Sequence, residues 1–165
     1  MKRKHLPLYG VGPLYVTAIA VLTAAGVLAS HLGLLDSGKF PVIRLPLAIL
    51  GALFILGGVA LWRAAVLRDK ISEGIVQNRL VTTGVYSVVR NPIYTAFLLA
   101  CTGALLLANN LWLLLLPPAY WLFLTLLMRA TEEKWLKEQY GREYEDYCKR
   151  VNRCLPWFPE RRDEE

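Results

Sequence analysis

Apolar residues in this chain come in four long blocks, and the charges lie between them. The blocks run over about 12–34, 43–67, 92–108 and 111–130. A helix needs about 20 apolar residues, each rising 1.5 Å, to cross a bilayer. Every block approaches that length, so the pattern predicts four spans. The second block carries Gly51 and the Gly57-Gly58 pair, where another helix can approach closely. Only Asn109-Asn110 separates the third block from the fourth, which reads as a tight helical hairpin. Pro117 and Pro118 remove backbone donors and are expected to kink the fourth span. Beyond it, Leu136, Tyr140, Tyr144, Tyr147 and Val151 recur at spacings of three or four. That period predicts an amphipathic helix over about 131–151 with an aromatic stripe, interrupted at Gly141 and ended by Pro156 and Pro159. The fold class expected is all-α. It is a polytopic membrane bundle of about four transmembrane helices with a cytoplasmic C-terminal amphipathic helix, forming a single domain over 1–165.

Composition agrees with that picture. Hydrophobic residues make up 55% of the chain and charged ones 19%, against about a quarter charged in ordinary soluble domains. Such a balance excludes a disordered chain, which needs low hydrophobicity. The net charge is +6, but Lys and Arg collect beside membrane helices for topological reasons. No basic stripe with interleaved stacking aromatics appears, so nucleic acid is not an expected partner. The N-terminal tail holds three Lys/Arg, segment 35–44 two, segment 63–92 five and the tail 129–165 nine, while the 109–110 turn holds none. This bias places both termini and the 63–92 segment in the cytoplasm, which an even number of spans satisfies. Met1 to His5 resembles the basic start of a signal peptide, but the apolar run that follows is longer than a signal core. It is read as a retained first span. Cys101, Cys148 and Cys154 fit neither a disulfide framework nor a zinc site, and no metal is expected.

Chemistry concentrates where the hairpin's ends meet. Arg90-Asn91-Pro92-Ile93-Tyr94 opens the third span, and Arg129, Glu132 and Glu133 close the fourth. From Tyr94 to Asn109 is 15 residues and from Asn110 to Arg129 is 19, so the two ends differ in depth by only about 6 Å. Two arginines, two carboxylates and a tyrosine are therefore expected to converge at the cytoplasmic membrane edge. Topology alone accounts for arginines there, and the two glutamates can be solvated residues opening the tail helix. Ionisable groups at membrane depth nevertheless tend to mark functional sites.

The stretch from Leu80 to Tyr94, Leu-Val-Thr-Thr-Gly-Val-Tyr-Ser-Val-Val-Arg-Asn-Pro-Ile-Tyr, resembles the signature of the membrane methyltransferases of the isoprenylcysteine carboxyl and phospholipid N-methyltransferase group. Their pattern is a Gly-x-Tyr, then Arg-His/Asn-Pro-x-Tyr. Some forty residues later come Glu-Glu-x-x-Leu, an aromatic-Gly-x-x-Tyr and a final Leu-Pro. This chain has Glu132-Glu133-Lys134-Trp135-Leu136, then Tyr140-Gly141-Arg142-Glu143-Tyr144, then Leu155-Pro156. The resemblance covers about residues 75–158. It implies S-adenosylmethionine as methyl donor, bound at the cytoplasmic side. The cofactor contacts would fall on Asn78, Arg79, Leu80 and Val81, on Tyr86, on Arg90, Asn91, Pro92, Ile93 and Tyr94, and on Glu132. Arg129 is the nearest match to the arginine that orients substrate in the carboxyl methyltransferases. One departure is Asn91, where those enzymes usually carry His; Asn occurs there among bacterial and phospholipid-directed relatives. The expected setting is a bacterial or archaeal inner membrane.

These residue types suit the chemistry. Tyr86 and Tyr94 offer π-faces for an adenine ring or a sulfonium cation, although interface anchoring also accounts for tyrosines at such depths. Glu132 can accept hydrogen bonds from an amino group or a ribose. Methyl transfer is an in-line displacement that asks mostly for proximity and alignment. A carboxylate acceptor needs no base and an arginine would hold it, whereas an amine must lose a proton, for which Glu133 is the best candidate. His5 and His31 lie outside the cluster. The reaction expected is methyl transfer from S-adenosylmethionine to a lipophilic acceptor, first a carboxylate of the isoprenylcysteine type and second a phospholipid amine. Partners are then a lipid or lipophilic substrate and membrane lipids. From other classes, an NADPH-binding protein like the sterol reductases and a non-catalytic membrane module are alternatives.

Overall fold

In a computed structural model of the protein, residues 10–68, 74, 77 and 79–156 are described. Asn78, Pro159, the basic N-terminal tail and the charged C-terminal end lie outside the described residues. Among the described residues six α-helices are delimited: α1 (Gly12–His31), α2 (Arg44–Arg63), α3 (Pro92–Leu107), α4 (Leu116–Ala130), α5 (Glu132–Tyr140) and α6 (Arg142–Arg150). Among the described residues three helical stretches are long and apolar enough to cross a membrane: Gly12–His31, Pro41–Arg68 and Leu111–Ala130. The helix α3 is apolar but has 16 residues, about 24 Å of rise against a hydrocarbon core of about 30 Å. The described residues thus form an all-α membrane bundle in which α3 is the shortest of the apolar stretches. Its outer surface is apolar: Leu45, Ile49, Leu53, Leu56 and Val59 of α2 are all exposed, as a bilayer solvent demands.

The core lies between α1, α3 and α4. Tyr15, Ile19, Leu105, Leu124 and Met128 have no exposed surface, and Tyr120 almost none. The hydroxyls of Thr23 and Tyr120 share a 3.0 Å hydrogen bond, which satisfies two polar groups that lipid could not.

The pairing of α2 with α3 rests on small residues. A Cβ on Gly58 would stand 2.6 Å from the Ala96 carbonyl oxygen, and one on Gly51 2.7 Å from that of Gly103. Gly57, expected to share this contact, faces open space. The seam therefore serves packing within the chain. Gly58→Leu is expected to destabilise the detergent-solubilised protein by about 1–3 kcal/mol through overpacking. Gly57→Leu should leave its thermal unfolding nearly unchanged, and equal effects from the two would contradict this packing.

At the end remote from the site, Asn109 takes φ +50 and closes the expected hairpin. Asn110 is 1% exposed. It donates to Ser30 Oγ (3.1 Å) and the Leu35 carbonyl (2.8 Å) and accepts from the Trp112 N–H (3.1 Å). The polar pair thus ties the end of α1 to the hairpin.

Two expectations are corrected here. Pro117 and Pro118 do not kink a continuous helix. One stretch of 3₁₀-helix (Leu111–Leu115) precedes them, and they stand in the first turn of α4, where a missing donor costs nothing. The tail is not one helix over 131–151 but two, because Thr131 leaves helical geometry and Gly141 takes φ +54. The interruption at Gly141 is the one its sequence signals.

Candidate active site

The start of α3 is built by the chain that returns to it. After α6, Val89 bridges Asn152 in parallel. Arg90 N–H donates to the Asn152 carbonyl (2.8 Å) and Asn91 N–H to that of Arg153 (3.1 Å). Asn91 is the residue before α3, yet its side chain makes no cap for that helix. Its amide reaches the Arg153 carbonyl at 3.4 Å instead. Pro92 follows in the first turn, where its ring is already suited to helical φ. Upstream, Gly84 takes φ +61 and opens a short 3₁₀ turn that carries Tyr86. Tyr147 of α6 donates to the Tyr86 carbonyl at 2.6 Å, pinning that turn to the tail.

These elements enclose a cavity of about 540 Å³, within the range of small-molecule sites. It is lined by Arg79, Leu80, Val81, Tyr86, Arg90, Asn91, Pro92, Ile93, Tyr94 and Glu132. Thus all the expected donor contacts that are described come together around one space. Asn78 falls outside the described residues.

The acidic centre of the cavity is Glu132, in the first turn of α5. Its Oε1 accepts from the Tyr94 hydroxyl at 2.6 Å and from the Val11 N–H at 2.7 Å. Burial pushes its carboxyl above the ordinary carboxylate range, and the two hydrogen bonds pull it partly back. Tyr94 also meets Tyr15 edge-on, with ring centroids 5.8 Å apart.

Glu133, one residue on, does not line the cavity. It accepts two bonds from Arg153, at 2.7 and 2.9 Å, and Arg90 stands 3.6 Å from it. All three side chains are largely buried. Arg90 also donates to Tyr144 Oη (3.3 Å), touches Cys148 Sγ and lies over the Tyr144 ring. Burial raises the Tyr144 and Tyr147 phenols, which keeps both neutral. Arg129, placed in the cluster by sequence, is exposed and outside the cavity lining. Its helix turns that face outward, and Arg153 occupies the position beside Glu133.

Several walls were not assigned to the site from the sequence. Trp62 of α2 and Val66 just beyond it close the cavity on one side, Gly10, Gly12, Pro13 and Val16 close it from the start of α1, and Trp135, Tyr140 and Tyr144 from the tail. The aromatic stripe signalled Tyr140 and Tyr144 of the last group. The Gly10-x-Gly12-Pro13 sequence was the one local hint of a close approach at the first.

Comparison with known proteins agrees with this geometry. The family described as Phospholipid methyltransferase matches residues 49–143, more than half of the chain. A probable protein-S-isoprenylcysteine O-methyltransferase of Oryza sativa subsp. indica is 35% identical over 83 residues, 50% of this chain and 43% of the relative. Protein-S-isoprenylcysteine O-methyltransferase B of Arabidopsis thaliana is 33% identical over 81 residues, 48% of this chain and 41% of the relative. The protein-S-isoprenylcysteine O-methyltransferase of Schizosaccharomyces pombe is 37% identical over 81 residues, 48% of this chain and 34% of the relative. The matched stretch is thus less than half the length of each relative. No solved structure matches the chain. These relatives are plant and yeast proteins and lend no support to a bacterial or archaeal setting.

Proposed function

The chain belongs to the phospholipid methyltransferase family, and on that premise we propose that it transfers a methyl group from S-adenosylmethionine to the carboxylate of an isoprenylcysteine-like lipid. The observation that supports this reading is the cavity, where nine motif residues surround the half-buried carboxylate of Glu132.

The lining fits the donor. Glu132 supplies an anion for an ammonium group, Tyr86 and Tyr94 supply π-faces, and the 79–81 backbone supplies polar edges. The donor brings an electrophilic methyl group on sulfur, and the protein's part is alignment and exclusion of water. Trp62, Val66 and Phe97 give the cavity an apolar wall toward the spans, suited to a prenyl chain. In this reading the donor enters from the cytoplasm and the acceptor from the bilayer.

The role expected for Glu133 as a base has no support in the geometry, since two arginines hold it outside the cavity. A carboxylate acceptor needs no base, which favours it over an amine. The matching family is one of methyltransferases, so a reductase-like reading has nothing to support it.

The test is methyl transfer by purified protein in lipid nanodiscs, with a prenylcysteine analogue and a phosphatidylethanolamine extract offered separately. Label in a base-labile methyl ester of the analogue is the expected result. Label in the phospholipid amine would overturn the acceptor, and label in neither would overturn the activity.

A further inference from the structure

The start of α1 lies outside the residues matched by the family model, yet it reaches the centre of the cavity. The Val11 N–H is one of the first donors of a 20-residue helix and has no partner within that helix. It donates to Glu132 Oε1 at 2.7 Å across 121 residues of sequence. The fit around it is close. Gly10 takes φ +48, and a Cβ there would collide with the Glu132 carboxylate; one on Gly12 would press on the Tyr94 ring at 3.2 Å. Both described hydrogen bonds to Glu132 fall on Oε1, and Oε2 has no partner among the described residues.

We propose that the Gly10-Val11-Gly12 segment is a positioning element of the donor site, its Val11 amide holding the Glu132 carboxylate ionised and aimed so that Oε2 receives the donor's ammonium group. This rests on the donor reading above. An amide that donates to a carboxylate favours its charged form, and so does a phenol. Tyr94 supplies the second such bond from α3. The other titratable groups around the cavity are Arg79, Tyr86 and Arg90 from the segment before α3, and Tyr140, Tyr144 and Tyr147 from the tail. Glu133 beside it is paired with Arg90 and Arg153. The segment from Gly10 to Gly12 brings no titratable side chain, so its influence on Glu132 comes through the backbone.

Val11→Pro deletes that one donor, at a residue whose φ of −91 is near proline's range. Binding of S-adenosylhomocysteine to the full chain in nanodiscs, followed by calorimetry from pH 4.5 to 8, reads the effect. Val11→Pro is expected to raise Kd about tenfold or more near neutral pH, as for loss of a hydrogen bond to a charged group. The acid limb, where affinity falls as Glu132 protonates, should move to higher pH. Val11→Ala keeps the amide and loses only packing, so it should leave the limb in place. An unmoved limb in Val11→Pro, with affinity equal to that of Val11→Ala, overturns the proposal. If Val11→Pro does not fold, hydrogen exchange on the unaltered protein decides. The ligand should slow exchange at Val11, and unchanged exchange overturns the role of this segment. A wild-type protein that binds no S-adenosylhomocysteine overturns the donor reading itself, and this inference with it. The two failures are therefore distinguishable.

Discussion

Glu132→Gln is expected to weaken S-adenosylhomocysteine binding at least tenfold, with a comparable or larger loss in methyl transfer. The variant removes charge and little else. An amide oxygen still accepts from the Val11 N–H and the Tyr94 hydroxyl, which now reach Oε1 at 2.7 and 2.6 Å. A charge-assisted hydrogen bond contributes about 1.5–3 kcal/mol, and each 1.4 kcal/mol is a factor of ten in affinity. The same variant has an opposite signature in stability. Burial raises the Glu132 carboxyl in the folded protein above its ordinary value, so ionising it costs the fold. Stability attached to this group is therefore present at low pH. It is lost as pH rises from the ordinary carboxylate range through the raised value. Ligand binding runs the other way, because an ammonium group needs the ionised form. Glu132→Gln should flatten the stability profile in that window while abolishing most binding above it. Tyr94→Phe should weaken binding less, since one hydrogen bond to Glu132 remains. Isothermal titration and thermal unfolding across pH measure both effects. Wild-type affinity in Glu132→Gln would remove the carboxylate from the site.

The largest loss of stability is expected from Glu133→Leu, about 3 kcal/mol. Glu133 is the anion between two largely buried arginines, bound by both nitrogens of Arg153 and 3.6 Å from Arg90. Removing it leaves two desolvated cations side by side, and breaking a buried pair from one end costs about 3–5 kcal/mol. Arg153→Leu should cost less, because Arg90 still neutralises Glu133. The double variant should cost less than the two added together. The backbone ties of residues 152–154 to 90–95 suggest the consequence: a loosened C-terminal strap no longer fixes Arg90 and Asn91 at the cavity wall. Chemical denaturation in mixed micelles reads these differences. Glu133→Gln bears on catalysis as well. If Glu133 only clamps, this variant loses stability while its rate profile against pH keeps its shape. A profile whose acid limb disappears would restore the base that the sequence suggested.

Much of this was legible in the chain because a bilayer leaves few choices. Every backbone polar group must be satisfied inside the spanning segment, so long apolar blocks become helices. Two asparagines between such blocks become a turn, with Asn109 at φ +50. The hairpin then brings Tyr94 and Glu132 to one level, which spacing alone anticipated, while the other expected contacts came from the family resemblance. Ten of its expected residues line one cavity.

What escaped that reading has a common physical cause. Rotation about a helix axis decides whether Arg129 or a neighbour faces the cavity, and the sequence pattern does not say which neighbour α4 packs against. Gly58 and Gly57 differ only in which side of α2 meets α3. The Glu133 clamp needs Arg153 from a segment 20 residues away, and the Val11 amide lies 121 residues from its acceptor. Composition and period set the helical character of the apolar blocks and the level of the chemistry. The direction each side chain faces, and which backbone donor completes the carboxylate, were decided only when α1, α3 and the C-terminal strap packed together.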